Sequence, residues 1–538
     1  MAMSHTPPTG ESDGTVRGFD MEKGMETTKV ARGSGAHDAV ATAPTTAYRY
    51  YVLAILVLVY TMNFLDRQIL AILKGPIQAE LHVSDSVMGV MSGLTFALLY
   101  STIGIPIASL ADRGSRRTIM AWALGLWSLF TAVCGFAQNI WHLAAARIGV
   151  GFGEAGGVAP AYSMVSDYFP KEQRARALSI YSLGIPVGSA AGLLFGGLIA
   201  KAISWRWAFI IVGGAGVVLA PIFYSTIKDP VRGGYEKAAA AVAAVPAKAK
   251  ATFTEVFNIL SRKKSFWLMA FGAAASSICG YGVAFWLPSF LKTTYFPTDA
   301  ATDFSTTSIY YAAITLVGGV LGIVGGGMVA DRIGGKRKSI YTQLPAISFL
   351  IALPCFFLAV NTSNKWAALP LFIIPTGLNL VWLGPILTAV QHLVPARMRT
   401  TASAAFLLIN NLLGIAVGYS YFGAVSDALK PHFDAQSMRY ALYTGLGFYI
   451  VAATLLLFAS VTLKNDWVDE STGEGVAAVP ARSKTANTLV IGGTALIGLG
   501  LLVLALRLAA GMFTASLLPI VAPLLGGIGL FVVGLKTD

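Results

Sequence analysis

The sequence has few charged residues for its length. Of its 538 residues only 12% are charged, whereas 55% are hydrophobic, and the mean hydropathy is +0.66. Soluble globular domains of ordinary composition contain about 25% charged residues. This shortage of charge excludes such a domain and predicts an integral membrane protein.

Cysteine and histidine are also scarce. The three cysteines, Cys134, Cys279 and Cys355, lie within apolar segments, and the six histidines show no ligand spacing. The sequence therefore predicts neither a disulfide framework nor a metal site, and it contains no nucleotide-binding loop that would imply a soluble cofactor. The net charge of +13 comes from short basic clusters between apolar runs. That distribution indicates membrane orientation and not nucleic acid as a partner.

Apolar runs of about 20 residues recur from Tyr51 onward, and each is long enough as a helix to cross a hydrocarbon layer of about 30 Å. Twelve such runs lie before residue 465, and two more follow it. The predicted fold is an all-α integral membrane protein with two six-helix bundles and an additional C-terminal two-helix hairpin. Its predicted parts are a disordered cytoplasmic tail (1–47), an N-terminal bundle (48–228), a cytoplasmic linker (229–262), a C-terminal bundle (263–464), a polar linker (465–486) and the hairpin (487–538).

Lysine and arginine concentrate in every second connection between the runs. By the positive-inside rule these connections and both termini are expected in the cytoplasm. The clusters are Arg113, Arg116 and Arg117; Lys171, Arg174 and Arg176; Arg262, Lys263 and Lys264; Lys336, Arg337 and Lys338; and Arg397 and Arg399.

The fourth run contains two opposite charges, Arg147 and Glu154, separated by seven residues. That spacing returns to nearly the same face of a helix, and ionisable groups at bilayer depth cost several kcal/mol unless they face a partner or a wet cavity. We interpret the pair as part of a transport pathway or proton relay. The alternative is a buried ion pair that only fixes helix packing.

The two halves repeat a short loop motif. Asp112, Arg113, Arg116 and Arg117 follow the second run, and Asp331 with Arg332 follows the eighth at the same offset. With the fourth-run pattern of Arg147, Gly151, Gly153, Glu154 and Ala155, these residues resemble the signatures of the major facilitator superfamily, although Ala108 and Ser115 replace two motif glycines. The resemblance implies twelve spans, alternating access, and a cytoplasmic latch formed by Asp112 with Arg113 and by Asp331 with Arg332. The alternative is that these charges only orient the loops.

Three further segments resemble the Spinster branch of that superfamily, whose members carry lysophospholipids and sphingolipid phosphates. They are residues 63–68 (Asn-Phe-Leu-Asp-Arg-Gln), 153–156 (Gly-Glu-Ala-Gly) and 167–170 (Asp-Tyr-Phe-Pro). The implied function is secondary active transport of an amphiphilic lipid, coupled to protons. We expect a monomer in the plasma (inner) membrane.

Asp66, Arg147 and Glu154 are the main candidates for substrate binding and proton coupling. The helical rise places Asp66 and Arg147 at similar depth, so the two residues are expected to meet. We expect Arg147 to attract an anionic headgroup and to be neutralised by Asp66 or Glu154 when unoccupied. A carboxylate in apolar surroundings can take up a proton near neutral pH, which would release the arginine. Arg67 points about 100° away from Asp66 and ranks below the other three, as a packing or interfacial cation.

The C-terminal half has aromatic and amide side chains in place of charges, which predicts an amphipathic cavity between the halves. The expected lining is Tyr281, Trp286, Tyr310, Tyr311, Asn379, Trp382, Asn410 and Asn411. The alternative for each aromatic residue is packing or an interface anchor.

Three other functions remain open. A carrier of small organic anions or drugs would use the same charges, and a lipid sensor would bind its cargo without transport. A lipid enzyme is disfavoured, because the sequence contains no nucleophile elbow, phosphate loop or metal-spaced cluster.

Overall fold

The computed structural model describes residues 45–230, 253–297, 304–334, 337–395 and 398–468. All described helices belong to one compact unit that begins at Thr46. Most of the predicted tail, most of the polar linker and the whole predicted hairpin lie outside these residues. The first helix begins at Thr46 and the last ends at Asp466, so each extends two residues into a segment predicted to be non-helical.

Eight helices form the described part of the N-terminal half. They are α1 (Thr46–Leu81), α2 (Asp85–Arg113), α3 (Arg116–Cys134), α4 (Ile140–Glu154), α5 (Val158–Tyr168), α6 (Lys171–Ser182), α7 (Gly184–Ala202) and α8 (Trp205–Thr226).

Eight more helices follow among the described residues after the linker sequence. They are α9 (Phe253–Ser261), α10 (Lys264–Tyr295), α11 (Ser305–Gly334), α12 (Ile340–Asn361), α13 (Lys365–Leu380), α14 (Leu383–Gln391), α15 (Arg399–Phe433) and α16 (Ser437–Asp466). The first of these, α9, lies inside the segment predicted as linker.

Ten stretches of the described chain are long and apolar enough to cross a membrane. One of them, Thr401–Asp466, covers most of α15 and all of α16. Helices α4 and α5 have only 15 and 11 residues and are too short singly. The helices are consistent with twelve spans if α4 and α5 together make one. The all-α membrane fold is confirmed.

The fourth span breaks directly after Glu154. Gly156 and Gly157 lie in the turn between α4 and α5, and glycine is a poor helix former because it loses much backbone freedom on ordering. A Cβ added at Gly153 would lie 2.6 Å from the backbone nitrogen of Trp127, so α3 and α4 cross here with their backbones nearly in contact. The sequence analysis did not predict this break.

The two halves meet where α2 packs along α15 and α7 along α11. A Cβ at Gly89 would lie 2.5 Å from the carbonyl oxygen of Tyr419, and one at Gly423 would lie 2.4 Å from that of Asp85. Glycine is therefore required for this close approach. We call the end of the bundle with residues 82–84 the α1–α2 end, and the opposite end, with residues 114–115, the α2–α3 end.

Candidate functional site

One stripe of α1 has four polar side chains within a largely apolar helix. Asn63, Asp66, Arg67 and Lys74 are separated by three, one and seven residues, which places them within an arc of about 100° around the helix axis. All four are buried. Buried charges in a membrane helix require partners, so the contacts of this stripe define the candidate site.

Arg67 forms a buried ion pair with Glu154. Its Nε donates to Oε2 of Glu154 at 2.8 Å, and its Nη2 lies 2.7 Å from the same oxygen. The guanidinium carbon also lies 4.8 to 5.2 Å from the ring centroids of Phe64, Phe96 and Tyr100. Such contacts add cation–π attraction to the charge pairing.

Arg67 also lies at the junction of the two halves. Tyr281 on α10 is within electrostatic range of its guanidinium, and so is Tyr419 on α15. Arg67 thus has a carboxylate partner in the N-terminal half and two tyrosine side chains of the C-terminal half nearby. The sequence analysis placed Arg67 below the other three candidates and did not predict its partner, because spacing along α1 shows direction but not the neighbouring helix.

The expected pairing of Arg147 with a carboxylate is wrong in this conformation. Within the described chain Arg147 forms no ion pair with Asp66 or Glu154; its Nη1 donates to the backbone carbonyl oxygen of Asp66 at 3.5 Å. The carboxylate of Asp66 accepts a hydrogen bond from Oγ1 of Thr131 at 3.1 Å instead. Asp66 and Arg147 do meet, as predicted from their depths, but through a backbone oxygen.

Helix geometry explains why Glu154 pairs with Arg67 and not with Arg147. Seven residues separate Arg147 from Glu154 along α4, which is about 10 Å of helical rise. Side chains on helices lean toward the N-terminus, so Arg67 reaches back along α1 toward the level of Glu154. Arg147 is only 2% exposed and lies over the ring of Phe96 at 5.4 Å.

The loop motif after α2 is partly visible. The side chains of Asp112, Arg113 and Asp331 lie outside the described part of the structure, and Arg332 is exposed. The predicted latch therefore stays a prediction. Arg116 is buried within its own half, where its Nη1 lies 2.5 Å from Oδ2 of Asp167 and donates to Ser163 at 2.7 Å.

Arg117 contacts the segment that leads out of α8. Its backbone N–H donates to Oδ1 of Asp229 at 3.1 Å, and its guanidinium carbon lies 4.4 Å from the ring centroid of Tyr224. The motif arginines Arg116 and Arg117 thus fasten α3 to α5 and α8 within the N-terminal half.

A second polar cluster, not predicted from the sequence, joins the two halves at the α1–α2 end. Oδ2 of Asp427 on α15 accepts hydrogen bonds from the backbone nitrogen and from Oγ of Ser86 on α2, each at 2.6 Å. Oδ2 of Asp85 accepts from Oγ of Ser426 at 3.0 Å and lies 3.2 Å from Nζ of Lys430. We call Asp85, Ser86, Ser426, Asp427 and Lys430 the end cluster.

Lys74 extends the end cluster into the interior. Its Nζ lies 3.7 Å from Oδ1 of Asp85 and 3.8 Å from the ring centroid of Trp286 on α10. The indole N–H of Trp286 donates to the carbonyl oxygen of Tyr419 at 2.9 Å. A lysine within an apolar run was the available signal in the sequence, but its contact with Trp286 joins residues that are distant in the chain.

Comparison with known proteins identifies the fold. The family model of the Major Facilitator Superfamily matches residues 56–419. The chain belongs to this superfamily. Sequence relatives include an MFS-type efflux pump of Mycolicibacterium smegmatis, 32% identical over 418 residues, which are 78% of this chain and 94% of the relative.

Other relatives place the transporter in the Spinster branch. Protein spinster homolog 3 of Danio rerio is 28% identical over 437 residues, covering 78% of this chain and 86% of that protein. Human protein spinster homolog 1 is 28% identical over 394 residues, 70% of this chain and 73% of that protein.

Solved structures agree with this placement. A bacterial homolog of the human lysosomal transporter Spinster, in an inward-facing and unoccupied conformation, matches with a TM-score of 0.68 at 28% identity, covering 79% of this chain and 100% of that one. A bacterial Spinster homolog in an occupied inward-facing conformation gives a TM-score of 0.65 at 27% identity. This superfamily member is an integral multi-pass membrane transporter, not an enzyme.

The predicted cavity residues of the transporter divide into two groups. Trp286, Tyr310, Tyr311, Trp382 and Asn410 are buried, whereas Tyr281, Asn379 and Asn411 are half-buried. The hydroxyls of Tyr310 and Tyr311 donate to the backbone carbonyls of Lys365 and Ala284, which ties them to helix packing. Tyr281 donates to Oδ1 of Asn411 at 3.4 Å, so these two side chains form a polar pair near Arg67.

A groove of about 440 Å³ opens on the N-terminal half at the α1–α2 end of the transporter. Glu80, Lys201 and Trp205 are among its lining residues, and none of the predicted site residues lines it. Glu80 is tied to Trp205 at 2.6 Å and to Arg206 at 2.5 Å. The groove is therefore separate from the Arg67–Glu154 pair.

Proposed function

We propose that this protein is a secondary active transporter that moves a lysophospholipid or sphingolipid-like amphiphile by alternating access, with proton coupling. The observation that carries the proposal is the Arg67 site. A guanidinium there is ringed by aromatic side chains and held by a single carboxylate at the junction of the two halves. An anionic headgroup can replace that carboxylate as the partner of the arginine, while an acyl chain packs on the rings.

The relatives support a Spinster-like transporter, and the resemblance to that branch implies a lipid-like cargo. Two of them are named spinster homologs, and the bacterial homolog of known structure is compared with the lysosomal transporter Spinster. The second candidate is a carrier of small organic anions or drugs, which the 32% identity to an MFS-type efflux pump favours. Both candidates use Arg67, and they differ in whether the cargo has a long apolar chain.

The end cluster supports alternating access. Its hydrogen bonds join α2 of one half to α15 of the other and close the halves together at the α1–α2 end. The basic loops lie at the opposite end, so the positive-inside rule makes the α1–α2 end external. The conformation is then closed to the outside, as in the inward-facing relative. The loop-motif residues Asp112, Arg113, Asp331 and Arg332 would close the cytoplasmic end in the opposite state.

Asp66 and Glu154 are the proposed proton acceptors. Both side chains are buried. Asp66 lies near Arg147 and Glu154 pairs with Arg67, so the charge of each carboxylate determines how strongly its arginine is held. Protonation of Glu154 would weaken its hold on Arg67 and free the guanidinium for an anionic headgroup. In this scheme Arg67 replaces Arg147 as the headgroup anchor, and Arg147 holds the backbone of α1 beside Asp66.

The proposal is tested by uptake of labelled lysophospholipid into proteoliposomes, with and without an imposed pH gradient. The variant is Arg67→Gln, and we expect uptake to fall at least tenfold. The matched control is Arg206→Gln, which removes an ion pair of the same half with Glu80 at 2.5 Å and should retain uptake. Size-exclusion chromatography establishes that both variants remain folded.

The choice between the two cargoes follows from competition. Excess unlabelled lysophospholipid should block uptake, whereas a small anionic drug should not. Transport of the drug with no transport of the lipid would reject the lipid proposal in favour of the second candidate. Full uptake by the folded Arg67→Gln variant would reject the headgroup anchor.

A further inference from the structure

Asn63 is the most unusual polar residue of the α1 stripe. Its side chain is 2% exposed, and among the described residues neither its Oδ1 nor its Nδ2 has a hydrogen-bond partner. Buried polar side-chain atoms are hydrogen-bonded in the large majority of cases, and an amide left unpaired at bilayer depth costs several kcal/mol. The amide is therefore expected to bind something that is small and polar.

Other buried atoms on neighbouring helices share this property. The indole Nε1 of Trp127 on α3 has no partner in the described structure, although the side chain is 1% exposed. Oδ1 of Asp66 and Oε1 of Glu154 are also unpartnered, while the second oxygen of each carboxylate is bonded. Unpartnered polar atoms thus occur on three neighbouring helices. They are the amide of Asn63 and one carboxylate oxygen of Asp66 on α1, the indole N–H of Trp127 on α3, and one carboxylate oxygen of Glu154 on α4.

Helix geometry brings these atoms into one region. Asn63 precedes Asp66 by almost one turn of α1, and Trp127 precedes Thr131, the hydrogen-bond partner of Asp66, by one turn of α3. Both helices run toward the α1–α2 end, so Asn63 and Trp127 lie on the same side of the Asp66–Thr131 bond.

Glu154 lies next to the same region. A Cβ at Gly153 would lie 2.8 Å from Cβ of Trp127, and one at Gly157 would lie 3.3 Å from the indole ring. Trp127 therefore lies along residues 153–157, the segment at the end of α4 that contains Glu154. Asn63 is one turn from Arg67, the partner of Glu154. Asn63 and Trp127 therefore lie close, along their helices, to the residues that carry or contact the two carboxylates.

The chemistry of the region favours water over a metal cation. It offers N–H donors from Asn63 and Trp127 as well as carboxylate acceptors, and water satisfies both types, whereas a cation satisfies only oxygens. The guanidiniums of Arg67 and Arg147 lie within electrostatic range of Asp66, so a further positive charge would be repelled. The charged and titratable groups around the two carboxylates are Arg67, Tyr100, Cys134, Arg147, Tyr281 and Tyr419.

We propose that α1, α3 and α4 enclose a small water cluster that connects the carboxyl groups of Asp66 and Glu154, with Asn63 and Trp127 as its positioning residues. A proton leaves the carboxyl oxygen of one residue, passes along the hydrogen-bonded waters, and ends on the carboxylate oxygen of the other. No other bond is made or broken. The transfer role rests on the proton coupling proposed above, whereas the presence of the waters does not.

The waters are tested directly by hydroxyl-radical footprinting with mass spectrometry, which oxidises buried side chains that contact bound water. The matched control is Trp286, which is also fully buried but donates its N–H to a protein carbonyl. We expect Trp127 to be oxidised at least threefold faster than Trp286. We also expect Asn63→Leu, which has a similar size and no polar atoms, to remove most of that difference. Equal oxidation of the two tryptophans would overturn the water cluster.

The transfer role is tested by comparing two transport modes in Asn63→Leu. Uptake driven by a pH gradient requires net proton release, whereas counterflow of labelled against unlabelled lysophospholipid at equal pH does not. We expect gradient-driven uptake to fall at least tenfold and counterflow to fall less than threefold. Asn63→Ser, which keeps a polar group and leaves room for water, should restore most of the gradient-driven uptake.

The outcomes separate the two proposals. A parallel fall of both transport modes in Asn63→Leu would make Asn63 a structural residue and overturn the relay. If the parent protein transports no lipid while Trp127 is oxidised in an Asn63-dependent manner, the proposed cargo is wrong and the water cluster stands.

Discussion

The end cluster gives a quantitative prediction about the conformational equilibrium. In Asp427→Ala both hydrogen bonds from Ser86 to the carboxylate are lost, and they join the two halves only while the α1–α2 end is closed. The ion pair of Asp427 with Lys430 lies within α15 and involves a lysine side chain that is 47% exposed. That pair therefore contributes little to closure.

The magnitude follows from the two remaining bonds. Hydrogen bonds to a charged group contribute about 1.5 to 3 kcal/mol each, and the lower value applies because the Asp427 side chain is 22% exposed. Two such bonds give about 3 kcal/mol, and each 1.4 kcal/mol is a factor of ten in an equilibrium constant. We therefore expect the ratio of open to closed molecules at the α1–α2 end to rise about 100-fold.

Distance measurements between two spin labels test this shift. Gln138 and Ser363 are exposed, lie in loops at the α1–α2 end and belong to opposite halves. In Asp427→Ala the population with the longer distance should increase at the expense of the shorter one.

The control is Glu80→Ala, which removes an ion pair at the same end but within one half. It should leave the distance distribution as in the parent. An unchanged distribution in Asp427→Ala, or an equal change in Glu80→Ala, would refute the role of the end cluster in closure.

Two further predictions concern stability and are measured by thermal unfolding in detergent. Glu154→Leu leaves Arg67 as a buried unpaired cation and should lower the free energy of unfolding by about 3 to 5 kcal/mol. The double variant with Arg67→Met should recover most of that loss. Equal losses in the single and the double variant would contradict the buried pair. Gly322→Val should destabilise by about 1 to 3 kcal/mol or more because its Cβ would lie 2.0 Å from the carbonyl oxygen of Gly377, whereas Gly325→Val on the same helix meets nothing within 4 Å and should be tolerated.

The candidate site shows where prediction from the sequence stopped. Asp66, Arg67, Arg147 and Glu154 were all recognised, because a charge in an apolar run is visible in the sequence and is costly without a partner. Their pairing was not predicted correctly. Arg67 and Glu154 are 87 residues apart, and their contact depends on how α1 and α4 are rotated and offset along their axes. The spacing of residues within one helix contains no information on that offset.

The end cluster illustrates the same limit at longer range. Ser86 and Asp427 are 341 residues apart and belong to different halves, so only the packing of α2 against α15 brings them together. The break after Glu154 was also missed, since hydrophobic length alone predicts one continuous span there.

By itself the sequence determined the membrane environment, the all-helical fold, the twofold repeat of the loop motif and the identity of the buried charges. Those properties depend on composition and on local spacing, because a span needs about 20 apolar residues whatever its neighbours are. Only the tertiary structure decided which charge meets which, which end of the transporter is closed, and that the buried polar atoms of Asn63 and Trp127 have no partner among the described residues. These are properties of helix packing, in which a rotation of one helix exchanges one partner for another.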